Sequence, residues 1–148
     1  MTRGGLLRGA AGIAVLLLAG CSIAPPTEVP ALYEASLDGS QEVPAVVAPG
    51  RGQARVDVDA QGAMHWTVAF ENLSGPVTGA HVHGPAGPGQ NAPIVIPLAV
   101  TQGASSFSGQ ARLNPEQRTQ LESGQWYVNL HTSAHPGGEI RGQLRPRR

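Results

Sequence analysis

Apolar and polar side chains alternate with a period of two along most of the chain. In "QARVDVD", Ala54, Val56 and Val58 fall on one side, and Arg55, Asp57 and Asp59 on the other. In "MHWTVAFE", Met64, Trp66, Val68 and Phe70 share a face, and His65 and Thr67 take the opposite one. "VTGAHVHG" sends Ala80 and Val82 inward and His81 and His83 outward. "QWYVNLHT" sends Trp126, Val128 and Leu130 inward and Tyr127, Asn129 and His131 outward. "EIRGQLR" puts Ile140 and Leu144 inward and Arg141 and Gln143 outward. Period two is the mark of a strand with one buried face. "ALYEASL", with Leu32 or Tyr33 inward, "APIVIPLAV" and "SSFSGQARL" complete the set, and turn sequences rich in Gly, Pro, Asn and Ser separate the runs. About eight short strands so spaced predict an all-β fold, an antiparallel Greek-key β-sandwich or flattened barrel.

One segment breaks the alternation. In "NPEQRTQLESG", Asn114 stands as N-cap, Pro115 takes the first helical position, Glu116 lies in the first turn and Gly124 follows the end. These signals predict one short helix over 115–122.

The first 20 residues follow a different logic. Arg3 and Arg8 precede "AGIAVLLLAG", an apolar run too short to span a bilayer. That layout predicts an export signal over 1–20. The run ends Leu18-Ala19-Gly20-Cys21, which resembles the bacterial lipobox. The resemblance implies cleavage before Cys21 and its lipidation, with palmitate-type chains holding the protein to a lipid bilayer. Cys21 is the only cysteine, so it has no disulfide partner. Ser22, rather than Asp, implies the outer membrane, facing the periplasm. Residues 21–30 contain three prolines and little that can pack, as a tether would, and the globular domain is expected over 31–145.

Composition narrows the chemistry. Only 4% of the residues are aromatic, so Val, Leu, Ile and Ala must supply most of the core. Net charge is zero, and no basic stripe appears apart from the terminal "RPRR", which argues against nucleic acid. There is no Gly-x-Ser-x-Gly, no Walker motif and no dinucleotide glycine motif, so neither a serine hydrolase nor a nucleotide site is indicated. Asp57 and Asp59 read as a solvated strand face, and so does His65.

The histidines remain. His81 and His83, at i and i+2, share one side of a strand about 7 Å apart. With a third imidazole from a neighbouring strand they could converge on one ion. Imidazoles suit copper, and zinc as a second choice. Glu139 is the carboxylate best placed to orient the rings. The same residues could instead form a purely structural network. In it, His81 and His83 bond loop carbonyls, His131 pairs with Glu139, and Arg141 pairs with Glu42.

"LDGSQEVP", "TGAHVHGPAGPGQNAPIV" and "WYVNLHTSAHPGGEIRGQL" resemble the CHRD domain, over nearly all of residues 31–145. The resemblance implies a β-sandwich related to copper-zinc superoxide dismutase and to immunoglobulin-like sandwiches, and no general biochemical activity. Compared with the dismutase, His81, His83 and His131 match copper-ligand positions, with His135 as a possible fourth ligand, and Arg141 matches the arginine at the mouth of the site. The zinc loop, the bridging histidine and the disulfide have no counterparts here. Two functions follow as expectations. The first is a membrane-anchored, non-catalytic binding or structural module of the cell envelope with a possible protein partner. The second is a copper-binding envelope protein using His81, His83 and His131, with weak superoxide-dismutating activity as its furthest extension.

Overall fold

The computed structural model describes residues 29–147 together with Met1. The expected export signal, Cys21 and the tether as far as residue 28 lie outside the described residues. In chain order the elements are β1 (Ala31–Asp38), a 3-10 turn (Gly39–Gln41), β2 (Arg51–Val58), β3 (Ala63–Glu71), β4 (Val77–His83), β5 (Ile94–Leu98), β6 (Ser106–Arg112), α1 (Pro115–Glu122), β7 (Tyr127–Thr132), β8 (Ile140–Gln143) and the two-residue β9 (Arg145–Pro146). Among the described residues there are thus nine strands, because a short final pairing with β1 adds one to the eight that alternation predicts.

The strands pair in the order β5-β4-β7-β8-β1-β2-β3-β6, all antiparallel. The end strands β5 and β6 lie against one another without a hydrogen-bonded ladder, so the sheet is nearly closed into a barrel. Reading across that seam gives β3-β6-β5-β4, in which β3 returns beside the last of three consecutive strands. This is a Greek-key arrangement. Near-closure leaves few free backbone donors on open edges, and Pro97 sits within edge strand β5.

Alternation and burial agree in β2, β3 and β4, whereas β7 and β8 are buried on both faces. Val56, Val58, Met64, Val68, Val82, Val128, Leu130, Ile140 and Leu144 are all buried in one core. At β1, Tyr33 is the residue that points in and Leu32 is exposed. A fully buried aliphatic side chain contributes about 1.5–3 kcal/mol, so this set outweighs any polar contact on the surface. The β2–β3 hairpin turns where the Asp59 carboxylate accepts the Gln61 and Ala63 N–H groups, at 2.9 and 2.8 Å. Gly62 there has φ +82°, a conformation open to glycine at little cost.

Helix α1 forms where its caps predicted. Asn114 Oδ1 accepts from Gln117 N–H at 2.8 Å, and Gln117 Oε1 accepts from Asn114 N–H at 2.9 Å. Leu121 anchors the helix in the core. No helix among the described residues is long and apolar enough to cross a membrane.

Candidate metal centre

The outer face of the β4-β7-β8 region carries the polar residues that alternation sent away from the core. Cross-strand register sets His83 opposite Tyr127, His81 opposite Asn129 and Gly79 opposite His131. On the other side of β7, Tyr127 faces Gln143 and Asn129 faces Arg141. Residues in register point to the same side of a sheet. Gly79, having no side chain, leaves room where the imidazoles of β4 and β7 meet. Register shifts interrupt β4 before His81, between Val77 and Gly79, and between the two histidines, between Val82 and His83. Such shifts, as at bulges, re-aim side chains next to sites.

His81, His83 and His131 come together there. One nitrogen from each lies within 4.8 Å of the others. The His81 and His131 ring centroids are 5.0 Å apart, and those of His81 and His83 are 5.6 Å apart. All three rings are half-buried, so the cluster is reachable from solvent.

Hydrogen bonds decide which nitrogens are free. His83 Nδ1 is 2.9 Å from the Ala92 carbonyl, and His131 Nδ1 is 2.9 Å from the Pro136 carbonyl. A carbonyl can only accept, so both Nδ1 atoms carry the proton and both neutral rings offer a lone pair at Nε2. His83 Nε2 is buried and has no hydrogen-bond partner. His131 Nε2 faces His81 Nδ1 at 3.1 Å. Since His131 Nε2 has no proton, His81 Nδ1 donates to it when no ion is present, and an ion held by His83 Nε2, His131 Nε2 and His81 Nδ1 would require the His81 proton to move to its Nε2. Bonds of about 2 Å to one ion place ligand nitrogens roughly 3.3–4 Å apart, so the cluster reaches a metal geometry with shifts of about an ångström.

Electrostatics favour the ligating form. Burial lowers the His81 pKa from its ordinary value, and the neighbouring His131 and His83 lower it further. Burial also lowers that of His83, and His131 and Arg141 add to the effect against the Ala92 hydrogen bond. Both rings are then neutral at neutral pH, as metal ligation requires.

The surroundings differ from expectation at three residues. Glu139 does not orient the rings or pair with His131. It is fully buried, its Oε1 accepts from Ser74 N–H at 2.8 Å, and its Oε2 accepts from the Thr132 hydroxyl at 2.6 Å. Backbone carbonyls orient the rings instead, because the loops after β4 and β7 fold back over the strands that carry them. His135 is not part of the cluster, and its backbone closes the turn after β7 through Thr132 and Gly138. Arg141 is not paired with Glu42. It donates to the Gln90 carbonyl at 2.7 Å and to Asn91 Oδ1 at 3.2 Å. Its guanidinium carbon lies 3.4 Å from the centre of the Tyr127 ring. His65 is on the surface as expected, 3.1 Å from the exposed carboxylate of Asp57.

Tyr127 and Asn129 are participants that residue-type reasoning passed over. Tyr127 stacks on His83 with the rings 4.9 Å apart and 2° from parallel, and its hydroxyl accepts from Ala92 N–H at 3.1 Å. It thus supports both the ring of His83 and the residue that holds that ring's proton. Their place on the outer face with His131 was readable from alternation. Nothing in the sequence marked Ala92 or Pro136, whose side chains play no part.

No curated protein and no solved structure matches the chain. The family model described as the CHRD domain matches residues 33–144, a span that begins in β1, ends just after β8 and contains the whole histidine cluster. A match over most of the chain and an all-β fold of the kind the motifs implied place this protein in the CHRD domain family.

Proposed function

We propose that this protein is an exported, lipid-anchored component of the cell envelope whose CHRD domain holds one transition-metal ion, copper, through His81, His83 and His131. Of the two readings open from the sequence, this keeps the non-catalytic binding module and makes the metal its ligand. The observation that carries it is the convergence of three imidazole nitrogens within 4.8 Å, one of them buried without a partner. Three neutral imidazoles are a donor set for copper or zinc, and among divalent first-row metals copper binds such a set most tightly. A holding role, rather than turnover, is favoured by Arg141, whose hydrogen bonds tie down the loop containing Gln90 and Asn91.

The test is metal content after loading. Protein equilibrated with copper and then dialysed is expected to retain one copper per chain by elemental analysis. His81→Ala/His83→Ala should retain none, and His135→Ala should behave as wild type. Equal copper in the double variant and wild type would refute the site.

The anchor rests on the lipobox-like Leu18-Ala19-Gly20-Cys21 and on Ser22, which favours the outer membrane. Cys21→Ser is expected to leave the protein unprocessed or soluble in the periplasm. A variant cleaved normally and still found with membranes would overturn the anchor without touching the metal site.

A further inference from the structure

A second polar cluster lies on the same outer face, between the histidines and Arg141. Glu42 follows the 3-10 turn after β1 and is 7% exposed, and Asn129 in β7 is 5% exposed. Asn129 Nδ2 donates to Glu42 Oε2 at 3.3 Å. The other oxygens of the same two groups, Glu42 Oε1 and Asn129 Oδ1, are both buried and both without a hydrogen-bond partner. Both crowd one point, since a Cβ on Gly138 would lie 2.7 Å from each. Only glycine can close over them, and Gly138, at φ +128°, also has a backbone that disfavours a side chain.

Two acceptors left over on an acid and an amide that already share one hydrogen bond lack a single atom, a proton. A carboxylic acid facing a primary amide makes two hydrogen bonds in a ring. The amide N–H donates to one acid oxygen, and the acid O–H donates to the amide oxygen. We infer that Glu42 and Asn129 form this acid–amide pair, and that the pair is a pH-operated latch fastening the segment from Gly39 to Gly50 onto the outer face beside the histidine cluster.

The alternative, an ionised Glu42, sets two buried lone-pair-bearing oxygens against each other, and each buried acceptor left unpaired is costly. Burial raises the Glu42 pKa from 4.5 to about 7, against the opposing effects of the Arg141 charge and the Asn129 N–H. The other charged or titratable groups around the pair have their own partners. Asp38, at the start of the segment, is bonded by Ser40 and Gln41. Glu139, after Gly138, is bonded by Ser74 and Thr132. His81 lies across from Asn129 and is turned to His131. Among the described residues, Arg141 is the one charge that acts on Glu42, and its hydrogen bonds go to Gln90 and Asn91.

The sign follows from the raised folded pKa. The folded state holds a proton that the unfolded chain releases near 4.5, so the latch is fully closed below that pH. Its contribution is lost as pH rises through about 7. Opening is expected to spread to a second loop, because Asn91, which accepts from Arg141, also donates to the Val43 carbonyl at 3.0 Å.

The experiment is an NMR titration of the protein labelled with 13C at glutamate carboxyls, with chelator present so that the histidine site takes no part. The Glu42 resonance is assigned through its own backbone, so the reading requires no variant. It is expected to titrate with a midpoint near 7, and a midpoint in the ordinary glutamate range would overturn the inference. Exchange protection of the Glu42 and Val46 amides, which both donate to the Gly39 carbonyl, should fall as pH passes that midpoint. In Glu42→Gln a permanent amide–amide pair replaces the acid, and protection should not depend on pH. Protection that stays constant in wild type, or that falls equally in Glu42→Gln, would also overturn it.

Discussion

Copper at 100 times its Kd and pH 7.5 is expected to raise the melting temperature of this protein by about 10 °C, and the increment should shrink as pH falls to 5. A ligand that binds only the folded state at that excess adds about 2.7 kcal/mol, which for a domain of this size corresponds to roughly 10 °C. The pH sense follows from the donor set. Metal competes with protons for the lone pairs of His81, His83 and His131, so acid releases it. His81 and His83 have folded pKa values below their ordinary value of 6.5, chiefly through burial. They remain neutral to more acid pH than free histidine, so release should set in below 6.5 rather than at it.

The protein with chelator has the same sense for a different reason. Depressed folded pKa values mean that the unfolded chain binds more protons, so the contribution of these rings is complete above 6.5. It is lost as pH falls through the folded values. Thermal unfolding with copper and with chelator, at both pH values, separates the two effects. Identical melting with copper and chelator at pH 7.5 would remove the support for a copper site. An increment as large at pH 5 as at 7.5 would mean that the ion binds somewhere other than on imidazoles.

Glu139→Ala is expected to cost about 2–6 kcal/mol, since it leaves two buried polar groups without their acceptor at roughly 1–3 kcal/mol each. The carboxylate is fully buried and bridges two distant pieces of chain, the β3–β4 connection through Ser74 and the end of β7 through Thr132. Truncation leaves the Ser74 N–H and the Thr132 hydroxyl without their acceptor. The measurement is the denaturant midpoint, shifted at an unchanged m-value. Glu139→Gln keeps one acceptor and should cost less. Copper content of Glu139→Gln should match wild type, since His83 and His131 are oriented by Ala92 and Pro136. A cost below about 1 kcal/mol for Glu139→Ala would contradict the clamp, and copper loss in folded Glu139→Gln would return Glu139 to the ring-orienting role that sequence suggested.

What the sequence determined by itself is mostly local. Alternation assigned Val56, Val82, Val128 and Leu130 to the core and His81, His83 and His131 to one opposite face, because a strand's geometry gives no other choice. The start of α1 was equally legible, since Asn114, Pro115 and Glu116 act within one turn, and the structure adds Gln117 to the cap. The family was legible from three contiguous motifs. Alternation says which side of a sheet a residue takes, but not whether that side meets water. Tyr127, Asn129 and Arg141 were assigned outward and are nonetheless buried, because the chain around Glu42 and the 84–93 loop close over them. Partners set by long loop paths were out of reach in the same way. Glu139 meets Ser74, 65 residues away, instead of His131, and the ring protons of His83 and His131 go to carbonyls that no side chain advertises. A hydrogen bond is made with whatever polar atom the folded chain holds at the right distance and angle, and over such separations only the nearly closed barrel and its returning loops decide which atom that is.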